Sequence, residues 1–191
     1  NLSAQICASL SEDIPVRAAG RVKPMYVLAK ESIHFISGRK KVKDQTPLQT
    51  FCEIVEAGKD NKPFELPILI EHIELKDFLG MKADLKFLMI DELISKKDML
   101  RSELFRLKEN NSYKKSLNKI LNQIMTYESF RKGEGLTIYS DLGNGHDWHA
   151  VNHLYSLDEG KLAQVIKESK DIYKEKNTDT FLLELKFAKS S

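Results

Sequence analysis

The sequence predicts an α+β fold: a helix-rich N-terminal and central part with an antiparallel sheet built mainly from the C-terminal third. Three observations predict it. Apolar residues keep helical spacing through much of residues 75–131. Short β-rich runs bounded by glycine-containing turns follow at 136–140 and 148–157. Near the end, Phe181, Leu183, Leu185 and Phe187 alternate with Leu182, Glu184 and Lys186, as a half-buried strand does. Helices followed by strands, rather than helices and strands in alternation, point to α+β. The 191 residues are read as one domain, 1–191, with 75–131 as a helical central subregion.

Composition narrows the function classes. Hydrophobic residues are 41% and charged residues 30%, which suits a packed protein and argues against global disorder. Lys plus Arg is 30 against 28 for Asp plus Glu, so the chain lacks the basic excess of a nucleic-acid binder. The run Arg39 to Lys43 is the one local excess, and it is read as a solvated loop. Cys7 and Cys52 are too few for a disulfide framework, so both are expected as reduced thiols. No apolar run reaches the length of a membrane span, and no signal-peptide pattern opens the sequence. The expected location is the cytoplasm, or a host cell reached without a classical signal peptide.

The elements follow in order. Leu2, Ile6 and Leu10 predict a short helix over about residues 2–11. Ser11 to Pro15 and Gly20 to Pro24 predict a loop. Met25 to Leu28 and Ile33 to Ile36 are read as strands paired as a hairpin around Glu31 and Ser32. Thr46-Pro47 opens a helix with a hydroxyl cap followed by a proline whose missing N–H costs nothing there. Leu48, Phe51, Cys52 and Val55 share its inner face, and Gly58 is expected to supply the left-handed residue that closes it. Leu66 to Ile70 reads as a strand, placed at an edge by Pro67. Residues 82–109 read as helical, with Ser95 to Asp98 capping a second segment. Ser116 to Phe130 is an amphipathic helix with Leu117, Ile120, Leu121 and Ile124 on one face. Strands at 136–140 and 148–157 come next, then a helix around Leu162, Val165, Ile166 and Ile172.

The segment from Gly145 to His153 carries the candidate chemistry. It holds three of the five histidines and the only tryptophan, and it runs from a glycine-rich loop into a strand. A side chain at the loop end of a strand is held firmly and still meets substrate. Trp148-His149-Ala150-Val151 resembles the histidine strand of papain-like cysteine proteases and deamidases, including bacterial effector enzymes of that superfamily. The resemblance implies a nucleophilic cysteine in an N-terminal helix and a histidine opening a strand far downstream. Cys7 and His149 have that order. It further implies a group after the histidine that orients the imidazole. Asp158 is the nearest candidate, with Asp171 and Asp147 less well placed. The expected activity is therefore cysteine-dependent hydrolysis or deamidation of a protein substrate, with Cys7 as nucleophile, His149 as base and acid, and Asp158 as orienter. Such chemistry needs no cofactor. The neighbourhood of Cys7 departs from the family pattern, because no aromatic residue follows the cysteine.

Two other readings compete. His146, His149 and His153 would share one face of a helix and could bind zinc there, whereas on a strand their odd spacing separates His146 from the other two. Alternatively the chain is a non-catalytic protein-interaction module or effector fragment, with Lys114, Lys115 and Lys119 beside Leu117 and Ile120 as a contact face. There is no HExxH pair, no paired CxxC and no Walker loop.

Overall fold

A computed structural model of the chain describes residues 15–18, 21–132, 137–141 and 146–150. Among them are six strands: β1 Pro15–Ala18, β2 Arg21–Pro24, β3 Pro67–Leu69, β4 Phe87–Met89, β5 Thr137–Asp141 and β6 His146–Ala150. The six helices are α1 Met25–Ser37, α2 Pro47–Lys59, α3 Ile73–Leu79, α4 Ile90–Ser95, α5 Lys97–Arg106 and α6 Ser112–Arg131. Helices dominate the described residues, and the two sheets are small.

This corrects the expected α+β arrangement. The larger antiparallel sheet has the order β2-β1-β5-β6, so two of its strands come from residues 15–24 and it is not built mainly from the C-terminal third. Its registers are Val16 with Lys23 and with Ile138, and Ile138 with His149. The second sheet is the antiparallel pair β3-β4. The expected helix at 2–11 and everything after Ala150, including the strand pattern at 181–187, lie outside the described residues.

The chain from Met25 to Ile36 is one helix rather than a hairpin. Its β-branched and aromatic content suggested strands, but its burial has helical period. Met25, Leu28, Ala29, Ser32, Ile33, Ile36 and Ser37 are buried, and these positions form one stripe at spacings of three and four. Gly38, with φ 75°, ends α1 in the left-handed conformation and donates its N–H to the His34 carbonyl. The helix α2 begins as expected. Thr46 Oγ1 accepts from the Gln49 N–H at 3.2 Å while Gln49 Oε1 accepts from the Thr46 N–H at 3.1 Å, a complete capping box.

The end of α2 differs from expectation. The left-handed residue is Asn61, with φ 52°, and not Gly58. The Lys62 N–H reaches the Ala57 carbonyl at 2.7 Å and the Asn61 N–H reaches the Gly58 carbonyl at 3.2 Å, the paired bonds of a Schellman end. Gly58 has another task. A Cβ on it would lie 2.0 Å from the Arg131 carbonyl oxygen, so the missing side chain lets the ends of α2 and α6 touch backbone to backbone.

The core lies between α1, α2 and α6. Ile33, Ile36, Phe51, Ile54, Ile124 and Tyr127 are fully or almost fully buried there. Phe51 meets Phe130 edge-on with ring centroids 5.1 Å apart. Cys52 is 2% exposed within this core, as its place beside Leu48 required. Leu117 and Ile120 are also buried, so the face beside Lys114, Lys115 and Lys119 is a core face and not an open contact surface. Lys97 of α5 pairs with Glu128 of α6 at 2.6 Å and ties the outer helix to the core.

Residues 82–109 are not one helical stretch. Lys82 to Lys86 turn, and β4 then pairs with β3 at Pro67/Met89, Ile68/Leu88 and Leu69/Phe87. Leu85 and Met89 therefore satisfy a helical spacing by coincidence. Ser95 does not cap the following helix. Its Oγ donates to the Glu92 carbonyl at 2.6 Å and ends α4 instead.

Candidate functional site

The residue assigned a catalytic role that falls within the described chain is His149, on β6. Cys7, Asp158 and His153 lie outside the described residues, and so do the alternative orienter Asp171 and the downstream turn that would carry Asp158. In β6, His149 pairs with Ile138, and Ile138 pairs in turn with Val16 of β1. These three residues form one row across the sheet. With strands roughly 4.8 Å apart, the backbones of Val16 and His149 are separated by about 10 Å. Cys7 lies nine positions before Val16 in sequence, and a segment of that length reaches at most about 30 Å. β1, whose first residue is eight positions after Cys7, thus belongs to the same sheet as the strand bearing His149.

The strand also bears on the zinc reading. His146 and His149 both belong to β6, where they occupy positions of opposite parity. His146 sits at the hairpin end of the ladder, paired with Asp141. Among the described residues, no group of three or more His, Cys, Asp or Glu side chains is placed to hold a metal ion.

A second group of polar side chains was not foreseen from the sequence. His72 Nε2 lies 3.1 Å from Ser112 Oγ, and the His72 ring stacks on Tyr113 with centroids 5.9 Å apart. His72 precedes α3 and Ser112 opens α6, so the contact joins two helix starts that are 40 residues apart. Nothing local in the sequence connects them. His72 Nδ1 is buried without a hydrogen-bond partner, so no carboxylate orients the ring as a serine–histidine catalytic pair requires. We read the contact as structural.

His72 also lines a cleft of about 340 Å³ with Ile70, Leu75, Ser116, Lys119 and Gln123. Gln123 is buried and donates its Nε2 to the Phe35 carbonyl at 2.9 Å. A carbonyl only accepts, so this bond fixes the amide orientation and leaves Gln123 Oε1 as the buried atom without a partner. A larger open cleft of about 720 Å³ lies at the end of α2, with Glu53, Glu56, Asp60, Glu65 and Asp91 around Phe64.

Tyr113 gives this region a titration signature. Burial pushes its phenol up to about 12, with the nearby Glu103 carboxylate adding to the rise. The Tyr113 hydroxyl donates to Glu103 Oε1 at 3.3 Å, and Arg106 holds the same carboxylate below its usual range, chiefly through its hydrogen bond. The folded phenol holds its proton more tightly than an unfolded one, whose pKa is about 10. The stabilisation from this difference is fully present below about pH 10 and is lost as pH rises toward about 12. In an ultraviolet titration of the native protein, Tyr113→Phe should therefore remove a phenolate that appears well above pH 10, toward about 12. If the phenolate lost in that variant titrates near pH 10, the buried placement of Tyr113 is contradicted.

No known family model matches the chain, and no curated protein matches it with significant similarity. The resemblance around His149 thus rests on the residues that carry it. No helix among the described residues is long and apolar enough to cross a membrane.

Proposed function

We propose that the protein is a cysteine-dependent hydrolase or deamidase acting on a protein substrate, of the kind found among bacterial effectors. The observation that carries this reading is the row Val16–Ile138–His149, which links the strand following Cys7 to the strand of the histidine. In the proposed reaction the Cys7 thiolate attacks the carbonyl carbon of a peptide or side-chain amide. The C–N bond breaks as His149 gives its proton to the departing amine or ammonia. Water, deprotonated by His149, then hydrolyses the thioester and regenerates the thiol. Asp158 is the proposed orienter. The zinc reading is supported by histidine spacing alone, and metal content near zero in untagged protein purified without chelator would remove it.

The test is release of new amino termini, or of ammonia, from a panel of unfolded protein substrates. The full chain should turn over at least one member of the panel, and both Cys7→Ala and His149→Ala should abolish turnover. Turnover that survives either substitution would exclude the assigned roles.

A non-catalytic interaction module is the second reading. It is favoured by the exposed apolar side chains of Leu85, Phe87 and Met89, which follow one another at spacing two at β4.

A further inference from the structure

The pair β3-β4 has one edge whose backbone groups meet no described strand. The Ile70 N–H donates to the Lys86 carbonyl at 2.8 Å and the Ile90 N–H donates to the Leu66 carbonyl at 2.9 Å. These bonds mark 70/86 and 66/90 as hydrogen-bonded pairs. Hydrogen-bonded and outward-facing pairs alternate in an antiparallel ladder, so 67/89 and 69/87 turn their backbone groups outward, and Phe87 and Met89 direct their amides away from β3. The order of this sheet ends at β4.

The side chains flanking that edge are unusual for an open strand. Leu85, Phe87 and Met89 follow one another at spacing two and are 48%, 37% and 46% exposed. Natural sheets guard open edges with proline, charge or a covering element, because an apolar edge recruits other strands. The outer side of β3 begins with Pro67, which has no amide to offer. Just before β4 the exposed Lys86 is the one charged guard, and it lies between two apolar neighbours.

The surroundings of the edge are basic. The Arg39 guanidinium sits 5.1 Å from the centre of the Phe87 ring. Arg39, Lys40 and Lys41 are exposed in succession, while the buried Val42 pins the loop to the core. The basic run is a solvated loop, as expected, and Arg39 sets it beside β4. With Lys82 and Lys86 it outweighs the three exposed acids, Asp84, Asp91 and Glu92, that flank the strand.

We propose that the open edge of β4 binds an extended segment of a partner protein by strand addition, the segment being apolar at alternate positions and acidic at its ends. Main-chain bonds to Phe87 and Met89 hold the segment, Leu85, Phe87 and Met89 contact its apolar side chains, and Arg39, Lys40 and Lys86 attract its acidic ends. The proposal does not depend on Cys7 or His149 and holds whether or not the protein is an enzyme.

The test uses the full chain and two fluorescein-labelled peptides, EEVTVTVEE and KKVTVTVKK, followed by anisotropy. The acidic peptide should bind saturably and at least tenfold more tightly than the basic one. Phe87→Pro removes an outward amide that β3 does not use, so a folded Phe87→Pro variant should lose at least tenfold in affinity. If that variant fails to fold, the double variant Arg39→Glu/Lys86→Glu gives the second reading and should reverse the preference between peptides. No saturable binding, equal binding of both peptides, or binding indifferent to these substitutions would overturn the proposal. Sedimentation showing a dimer that the same substitutions dissociate would assign the edge to a second copy of the chain and would also overturn it.

Discussion

Gly58→Ala is expected to destabilise the protein by about 3 kcal/mol or more, the upper part of the range for overpacked interiors. The sign is informative. Replacing glycine by alanine inside a helix normally gains up to about 1 kcal/mol, because alanine loses less backbone freedom on folding. Here the new Cβ would lie 2.0 Å from the Arg131 carbonyl oxygen and within 3 Å of two further backbone atoms of Arg131. No rotamer change relieves a contact with backbone, so α2 and α6 must separate, and the Phe51–Phe130 contact lies in the same helix pair. Gly80→Ala is the comparison. Gly80 has φ 72° and nothing within 4 Å of its added Cβ. It should lose only the cost of left-handed backbone, about 1–2 kcal/mol. Urea denaturation of both variants checks the pair. A Gly58→Ala midpoint equal to or above that of the parent would contradict the packing of α2 on α6.

That packing also shows where sequence reading stops. The start of α2 was legible because Thr46, Pro47 and Gln49 act on their immediate neighbours. The end was misread because two residues compete for one role. Gly58 looks like a helix terminator locally, but its use is set by α6, which arrives from 73 residues downstream at Arg131. Asn61 takes the left-handed position in its place. The helix α1 was misread for a related reason. Valine, isoleucine and phenylalanine favour strands on average, yet the stripe through Leu28, Ser32 and Ile36 buries well against α2 and α6, and packing overrides propensity. The β1-β2 hairpin was missed because Pro15, Gly20 and Pro24 read as loop punctuation, although proline is tolerated at strand ends. Of the candidate site, the strand bearing His149 was legible in part: the composition placed its start at Trp148, whereas it begins at His146, and the expected stretch after Ala150 lies outside the described residues. The row connecting it to β1 was not legible, since strand pairing over more than a hundred residues leaves no local trace. The His72–Ser112 contact was hidden in the same way.

The second large effect concerns catalysis. Cys7→Ala and His149→Ala are each expected to reduce turnover by at least about 10³-fold, and the double variant should be no worse than either alone. This non-additivity follows from the proposed mechanism. A thiol without its imidazole is protonated at neutral pH, and an imidazole without its thiol has no nucleophile to activate. Asp158→Ala should cost less, because an orienter acts through the histidine. Steady-state rates of the four proteins on the best substrate of the panel give the comparison. Losses that multiply in the double variant would mean that the two residues act separately.

The most direct measurement of the central claim needs no substrate. Cys52 is buried, so alkylation of the native protein by iodoacetamide reports on Cys7, and Cys7→Ala supplies the blank. A thiolate paired with an imidazolium should react with a midpoint below about pH 7.5, against about 8.5 for an ordinary cysteine. His149→Ala should return the midpoint to about 8.5. A native midpoint already near 8.5, unchanged by His149→Ala, would show that the thiol and the imidazole do not meet.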